Sequence, residues 1–485
     1  MRIERLSAAI LAGALIALLG VVPSLASDKG KLTKAEAGEL GIEAFVYGFP
    51  LVLMDITKQV QTNVAEPQHN GRAPVNQFSH FPKLPTAADK DAVRMNVDTL
   101  YSFAWLDLSK EPIVLSVPDT DWRYYMLPVI DAWTNVASSP GKRTSGTKPA
   151  RFVIVGPNWK GTLPEGINEV KSPTNMAFIA GQTQANGPAD EAAVNALQKQ
   201  YELTPLSALG KPYEPPKGTV DPKVDMKTPP LDQVGRMSAA TFFKTLAELM
   251  KSNPPSAADA PILEKFARIG ITPGQDFDMK KLDPVVAKGL EKSVREAMSR
   301  LEAKTKKTGK SVNGWSLPPR NLGNFGTDYD LRAATALAGR GADIAQDAIS
   351  LGAFEDARGH PMSGVYRCVL HFDKDKMPPA NAFWSVTLYD HKGHLVSNSI
   401  NRYHIASWMP LEYNPDGSLD IRIQHDPPGN DKEPNWLPAA PGQFSVTMRI
   451  YWPKESVLDS SWTPPAIQRL KSRQFVPGMR VPFRR

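Results

Sequence analysis

One cysteine in 485 residues, Cys368, leaves this chain without any intramolecular disulfide. It lies in Val365-Tyr366-Arg367-Cys368-Val369-Leu370, an apolar-rich run that reads as a buried strand and gives the thiol a structural role rather than a catalytic one. Also missing are a dinucleotide fingerprint, a phosphate-cradling glycine loop, a nucleophile elbow and a CxxCH haem attachment, so the common classes that carry those motifs have no support. A triad assembled from distant loops would leave no such trace. The eight histidines (His69, His80, His360, His371, His391, His394, His404 and His425) show no metal-ligand spacing. His391 and His394 flank a turn glycine with no third ligand nearby, and neither a metal nor a cofactor is expected. The net charge is only +7, and its densest basic group, Lys304, Lys306, Lys307 and Lys310, follows a helix end where cations are favourable. With no basic stripe interleaved with aromatics, a nucleic-acid partner is not expected.

Long apolar runs are scarce as well, and the one that stands out is at the start. Arg2 and Arg5 precede an apolar stretch from Ala8 to Val22, followed by Ser24-Leu25-Ala26, a small-x-small cleavage signal. The stretch is shorter than the roughly 20 residues a spanning helix needs. Residues 1–26 therefore read as a secretory signal cut before Ser27, with an uncleaved anchor as the other reading. Without a cysteine near the cut, no lipid anchor is indicated. The expected location is periplasmic or secreted, with no membrane span after signal cleavage. The 41% hydrophobic content supplies real cores, so a domain of this size needs no disulfide to be stable outside the cell.

Helical spacing of Leu40, Ala44, Tyr47 and Leu51 predicts a helix from Thr33 to about Val60, started by a Thr33/Glu36 capping box and kinked or divided at Pro50. Strand texture follows in Leu100–Trp105, Ile113–Val117, Tyr124–Leu127 and Phe152–Val155. Residues 204–236 are rich in proline, glycine and lysine without periodicity, a linker signature. Helical patterns then recur at Ser238–Lys251, Ala260–Ile269, Pro284–Lys304 and Leu331–Leu351, before strands return at Val365–Phe372, Ala382–Tyr389, Leu419–Gln424 and Phe444–Trp452. Gly393 marks a hairpin turn after Asp390. The expected class is α+β. Its domains are an N-terminal one over 27–203, the linker, a helical connecting segment over 237–355, a C-terminal β-sandwich over 356–470 and a basic tail over 471–485.

Two sets of residues carry a family resemblance. Tyr47-Gly48-Phe49-Pro50, Asn76-Gln77-Phe78-Ser79-His80, Asn96-Val97-Asp98-Thr99-Leu100-Tyr101-Ser102 and Gly156-Pro157-Asn158-Trp159 resemble domain of unknown function 1254. Asn381 through Asp390, Asn401-Arg402-Tyr403, Asn435-Trp436-Leu437-Pro438 and Arg449-Ile450-Tyr451-Trp452-Pro453 resemble domain of unknown function 1214, its usual companion in this order. The resemblance implies two β-sandwich-like domains, the C-terminal one jelly-roll-like, joined through helices; it implies no reaction. Gly181-Gln182-Thr183 departs from the family pattern, in which arginine precedes the threonine and could hold an anion.

Candidate binding residues cluster in two places. Arg94, Asn96, Asp98 and Tyr101 offer a cation, a carboxylate and a phenol at a strand entrance, although Asn and Asp there also suit an Asx-turn. Arg402, Tyr403, Asn435 and Trp436 offer a planar fork and a flat ring, or else plug the end of a sandwich. One carboxylate without an identified partner specifies no acid–base chemistry, so catalytic residues stay unassigned. The leading expectation is an exported protein that binds a small molecule or glycan in an interdomain cleft, with an enzyme of unassigned class as its extension. The alternative is a non-catalytic envelope protein whose aromatics form a homo-oligomer interface.

Overall fold

The capping box forms as the sequence predicts in the computed structural model, which describes residues 30–305, 310–339 and 341–473. The Thr33 hydroxyl accepts from the Glu36 N–H at 3.2 Å, and the Glu36 carboxylate accepts from the Thr33 N–H at 2.8 Å. Helix α1 (Lys34–Thr62) starts there and runs unbroken through Pro50, so the expected division does not occur. It is also long and apolar enough to cross a membrane, which corrects the expectation that nothing beyond residue 26 comes near a span. With 72% of its most apolar stretch buried inside the protein, α1 is a core helix. The signal expected at 1–26 and the tail beyond residue 473 lie outside the described residues.

The N-terminal sheets are built on β1 (Thr99–Asp107), β2 (Ile113–Val117), β3 (Ala150–Val155) and β4 (Met176–Gln184). Antiparallel β1 and β4 pair over nine positions at the centre of a six-stranded sheet, while β2 and β3 centre a four-stranded one. Side-chain alternation sends Ala104 and Leu106 of β1 into a core shared with Leu115 of β2 and Ile154 of β3. Trp105 of β1 and Phe178 of β4 face the other way, into the helices.

Those helices are α2 (Ala239–Ser252), α3 (Ala260–Ala267), α4 (Pro284–Leu290), α5 (Ser293–Thr305) and α6 (Tyr329–Gly339). The single helix read over 284–304 is therefore two. At the α1–α4 crossing, a Cβ on Gly289 would lie 2.6 Å from the Lys34 carbonyl oxygen, so only glycine permits that approach. Together they surround α1 and share one core with Trp105 and Phe178, forming a layer on the N-terminal sheet as well as the path between the sheet regions. The helical texture read to Leu351 stops at Gly339.

The second sheet region contains β5 (Ala348–Ala353), β6 (Tyr366–Phe372), β7 (Ala380–Asp390), β8 (His404–Ala406), β9 (Leu419–Gln424) and β10 (Phe444–Pro453). A six-stranded sheet runs Lys310–Val312, Trp315–Leu317, β5, β10, β7, β8, so three of its strands precede the expected start at residue 356. The other sheet, of four strands, is centred on β9 and β6. Val386, Leu388, Met448 and Ile450 share a core with Leu370, Phe372 and Ile421 across the two sheets. Cys368 is buried in it, and burial pushes its thiol up to about 11. The predicted turn follows β7, with Gly393 at φ +86° and its N–H on the Asp390 carbonyl at 3.0 Å. The chain thus has two sheet-rich regions separated by a helical stretch.

Candidate functional site

The outer face of the β7–β10 pair is buried but polar. Its alternation gives Phe383, Ser385, Thr387 and Tyr389 on one strand and Ser445, Thr447, Arg449 and Tyr451 on the other. Onto this face the N-terminal region lowers the loop before β1. Arg94 adopts a left-handed backbone (φ +53°) and donates its N–H to the Gly393 carbonyl at 2.7 Å, docking the loop on the β7 turn. Its guanidinium bonds Thr447 at 3.2 Å and Ser445 at 3.1 Å. The backbone carbonyl of Arg94 in turn accepts from the Arg449 guanidinium at 3.0 Å.

Asp98 is fully buried at this contact. Its Oδ1 lies 2.6 Å from His404 Nδ1, and its Oδ2 accepts from Ser385 Oγ at 2.6 Å and from the Tyr451 hydroxyl at 3.1 Å. An ionised carboxylate only accepts, which places the proton on His404 Nδ1. Burial alone would raise the Asp98 pKa; the His404 hydrogen bond and charge, with Arg449 and Ser385, outweigh it and hold the group below the ordinary carboxylate range. His404 Nε2 has no hydrogen-bond partner among the described residues, and the Trp408 ring stands edge-on to the imidazole at 5.7 Å.

Asn96 forms the Asx-turn its position suggests and also joins the polar network with its amide nitrogen. Its Oδ1 accepts from the Asp98 N–H at 2.8 Å in an Asx-turn. Its Nδ2 lies 2.9 Å from Thr99 Oγ1, 3.0 Å from Tyr451 Oη, 3.3 Å from Tyr101 Oη and 3.3 Å from Gln182 Oε1, more acceptors than its two hydrogens can serve at once. Gln182 continues the chain by donating to Asp343 Oδ2 at 3.0 Å. Burial, and then the charge of Asp347, raise the Asp343 carboxyl to about 7. Asp347 itself is ion-paired to Arg143 at 2.6 Å. Asp343 and Tyr101 are crowded by protein yet keep partial exposure. Burial also raises the Tyr101 phenol, to about 12.

Arg94, Asn96, Asp98 and Tyr101 therefore come together, and Tyr403 packs beside them against Val97 and Tyr389. Arg402, Asn435 and Trp436 do not join them. Arg402 Nη1 donates to the carbonyls of Glu433 at 2.5 Å and Trp436 at 3.0 Å. Asn435 brackets the Glu412 backbone at 2.6 and 3.0 Å, and the buried Trp436 indole donates to the Gln424 carbonyl at 2.9 Å. Ser385, His404, Arg449, Tyr451, Gln182 and Asp343 were not foreseen as site residues. The available signal was the polar alternation in Ser385-Thr387 and Thr447-Arg449, which suits a strand buried on both faces. Among the described residues, no three His, Cys, Asp or Glu side chains gather as a metal site.

These features define a two-region α+β protein with a polar network at the contact between regions. The family model described as "Protein of unknown function (DUF1254)" matches residues 75–205, and that described as "Protein of unknown function (DUF1214)" matches residues 347–455. The two matched segments follow one another along the chain, the first in the N-terminal sheet region and the second in the C-terminal one. A solved structure, the VPA0106 protein from Vibrio parahaemolyticus, is similar with a TM-score of 0.69 at 23% identity, over 90% of this chain and 100% of that one. A putative uncharacterized protein from Burkholderia cenocepacia aligns over 90% of this chain and 93% of that chain, at 14% identity and a TM-score of 0.41. No curated protein matches the chain.

Proposed function

We propose that a recess opens between the two sheet regions beside Tyr101 and Asp343, that it binds a neutral, hydroxyl-bearing small molecule such as a glycan unit, and that it can move a proton. One observation carries this reading: a single hydrogen-bonded network joins two carboxyls in unlike settings, Asp98 fully buried among three donors and Asp343 partly exposed on Gln182, settings that push Asp98 down and Asp343 up to about 7. Environments that separate two carboxyl pKa values divide acid from base roles. Asp343 is the group that gains or loses a proton near neutral pH, and the Asp98–His404 pair offers a free imidazole nitrogen. Asn96, Gln182 and Tyr101 supply uncharged donors and acceptors suited to hydroxyls.

A calorimetric screen of neutral mono- and disaccharides against wild type and Asp343→Asn tests this. A saturable ligand whose affinity changes with pH around 7, and loses that dependence in the variant, supports the reading. No saturable ligand, or one indifferent to the substitution, rejects it. The subunit-interface alternative loses Trp436, which is buried within its own chain.

We further infer that residues 1–26 direct export, that each pair of facing sheets is a sandwich, jelly-roll-like in the C-terminal region, and that the mature chain begins at Ser27. Mass measurement of the exported protein checks that start.

A further inference from the structure

The Asn76-Gln77-Phe78-Ser79-His80 motif takes no part in the interdomain network, yet it borders a cavity of about 570 Å³ on the N-terminal region. We propose that this cavity is a second binding site, for an aromatic carboxylate, with Arg151 holding the carboxylate and His80 donating from beside the ring.

The wall is aromatic. Phe78 and His80 are stacked, with ring centroids 5.3 Å apart at 23°, and Tyr201 flanks both at 6.2 and 6.4 Å. Such a surface, with His80 still partly exposed, accepts a planar ring by offset or edge contact. The volume falls within the range of small-molecule sites, about 300–1,000 Å³.

The direction of the His80 hydrogen bonds is fixed from behind. The Tyr101 carbonyl, which also accepts from the Phe81 N–H, would repel an amide oxygen, so it is Gln198 Nε2 that stands against it at 2.9 Å and turns its second hydrogen to Ser102 Oγ at 3.2 Å. Ser102 is fully buried, and among the described residues its own proton has one acceptor, His80 Nδ1 at 2.8 Å. His80 is therefore the Nε2–H tautomer, a neutral donor whose outward nitrogen has no partner among the described residues. Burial agrees with that neutrality, holding the imidazole at about 4.

The charge selectivity comes from Arg151. It stands in register with Ser116 of β2, while Glu202, which lines the same cavity, pairs Ser116 from the other side, one full strand away from Arg151. Among the described residues the Arg151 guanidinium has no ion pair or hydrogen bond, although it lines the cavity. A free planar fork beside an aromatic wall matches a carboxylate carried on a ring.

Titration calorimetry of the full protein with 2-naphthoate and with the neutral 2-naphthalenemethanol tests the proposal. Naphthoate should bind saturably and at least about tenfold more tightly than the alcohol, the factor expected of a charge-assisted pair. Arg151→Ala should remove that advantage while leaving alcohol binding unchanged; Arg151 is exposed and unpaired, so the fold should hold. His80→Phe keeps the ring and loses the donor, and should weaken naphthoate severalfold. Asp343→Asn should have no effect, which separates this cavity from the interdomain recess. Absence of saturable naphthoate binding, or equal binding by Arg151→Ala, overturns the proposal.

Discussion

Two loops of similar composition, 94–101 and 402 with 435–436, do opposite things. Both present arginine, asparagine and an aromatic ring. The first crosses to the other sheet region and pairs with side chains there: Asp98 with Ser385, His404 and Tyr451, and Asn96 with Tyr451. The second turns back on its own backbone, with Arg402, Asn435 and Trp436 bonded to the carbonyls of Glu433, Glu412 and Gln424. Backbone carbonyls are fixed acceptors that stabilise a loop and leave nothing for a ligand. Side-chain partners can be exchanged, shared or protonated. What separates a candidate site from a loop staple here is the kind of partner, and residue type alone does not reveal it.

The sharpest break of this comparison is Asp98→Ala. It leaves His404, Ser385 and Tyr451 without their common acceptor in a fully buried position, and the expected loss is about 3–5 kcal/mol in denaturant unfolding. A loss below about 1 kcal/mol would mean that the contact between the regions does not depend on this carboxylate. Arg402→Ala comes next, at about 1.5–3 kcal/mol, because charged donors to two carbonyls disappear from a half-buried site. It should leave ligand binding at the interdomain recess unchanged. If it abolished binding there, the distinction between the two loops would fail.

A smaller effect appears in the pH dependence of stability, where the two candidate sites oppose each other. Asp343 is raised from 3.8 to about 7 in the folded protein, so its contribution is fully present below pH 4 and is lost as pH rises through 7. His80 is lowered from 6.5 to about 4, so its contribution is present above pH 6.5 and is lost as pH falls towards 4. Between pH 4 and 7 the two slopes partly cancel. Asp343→Asn should make stability rise more steeply with pH over this window, and His80→Phe should make it rise less or fall. Parallel curves for wild type and both variants would remove the support for perturbed groups at either place.

Much of the architecture was legible because it is local. The Thr33 cap, the strands rich in branched and aromatic residues, the Gly393 turn and the polar group before β1 all announce themselves within a few neighbours. β4 was missed because Met176-Ala-Phe-Ile-Ala-Gly is buried on both faces and shows no alternation. The partners of Asp98 were missed for a different reason: Ser385 and His404 are 287 and 306 residues away, and only folding brings them to it. Asp343 lies in an irregular stretch between α6 and β5, with no pattern to mark it. Gln182 alone left a trace, as the departure from the family pattern, and it bridges Asn96 to Asp343.

The smallest predicted effects give the cleanest test of the comparison. Tyr451→Phe and Trp436→Phe each remove one hydrogen-bond donor from a buried aromatic side chain, so each should cost about 1 kcal/mol. Their consequences should then diverge. Without the Tyr451 hydroxyl, Asp98 loses one of three donors, and Asn96 loses a partner at 3.0 Å, so the network running to Asp343 rearranges. The pH profile of recess binding should shift in Tyr451→Phe. In Trp436→Phe only the bond to the Gln424 carbonyl disappears, which is a matter internal to the C-terminal sheets, and the profile should superimpose on wild type. Equal stability losses with unequal pH profiles would show that the two loops differ in function as well as in partners. If the profiles moved together, the network around Asp98 would be a structural staple like its counterpart at Arg402.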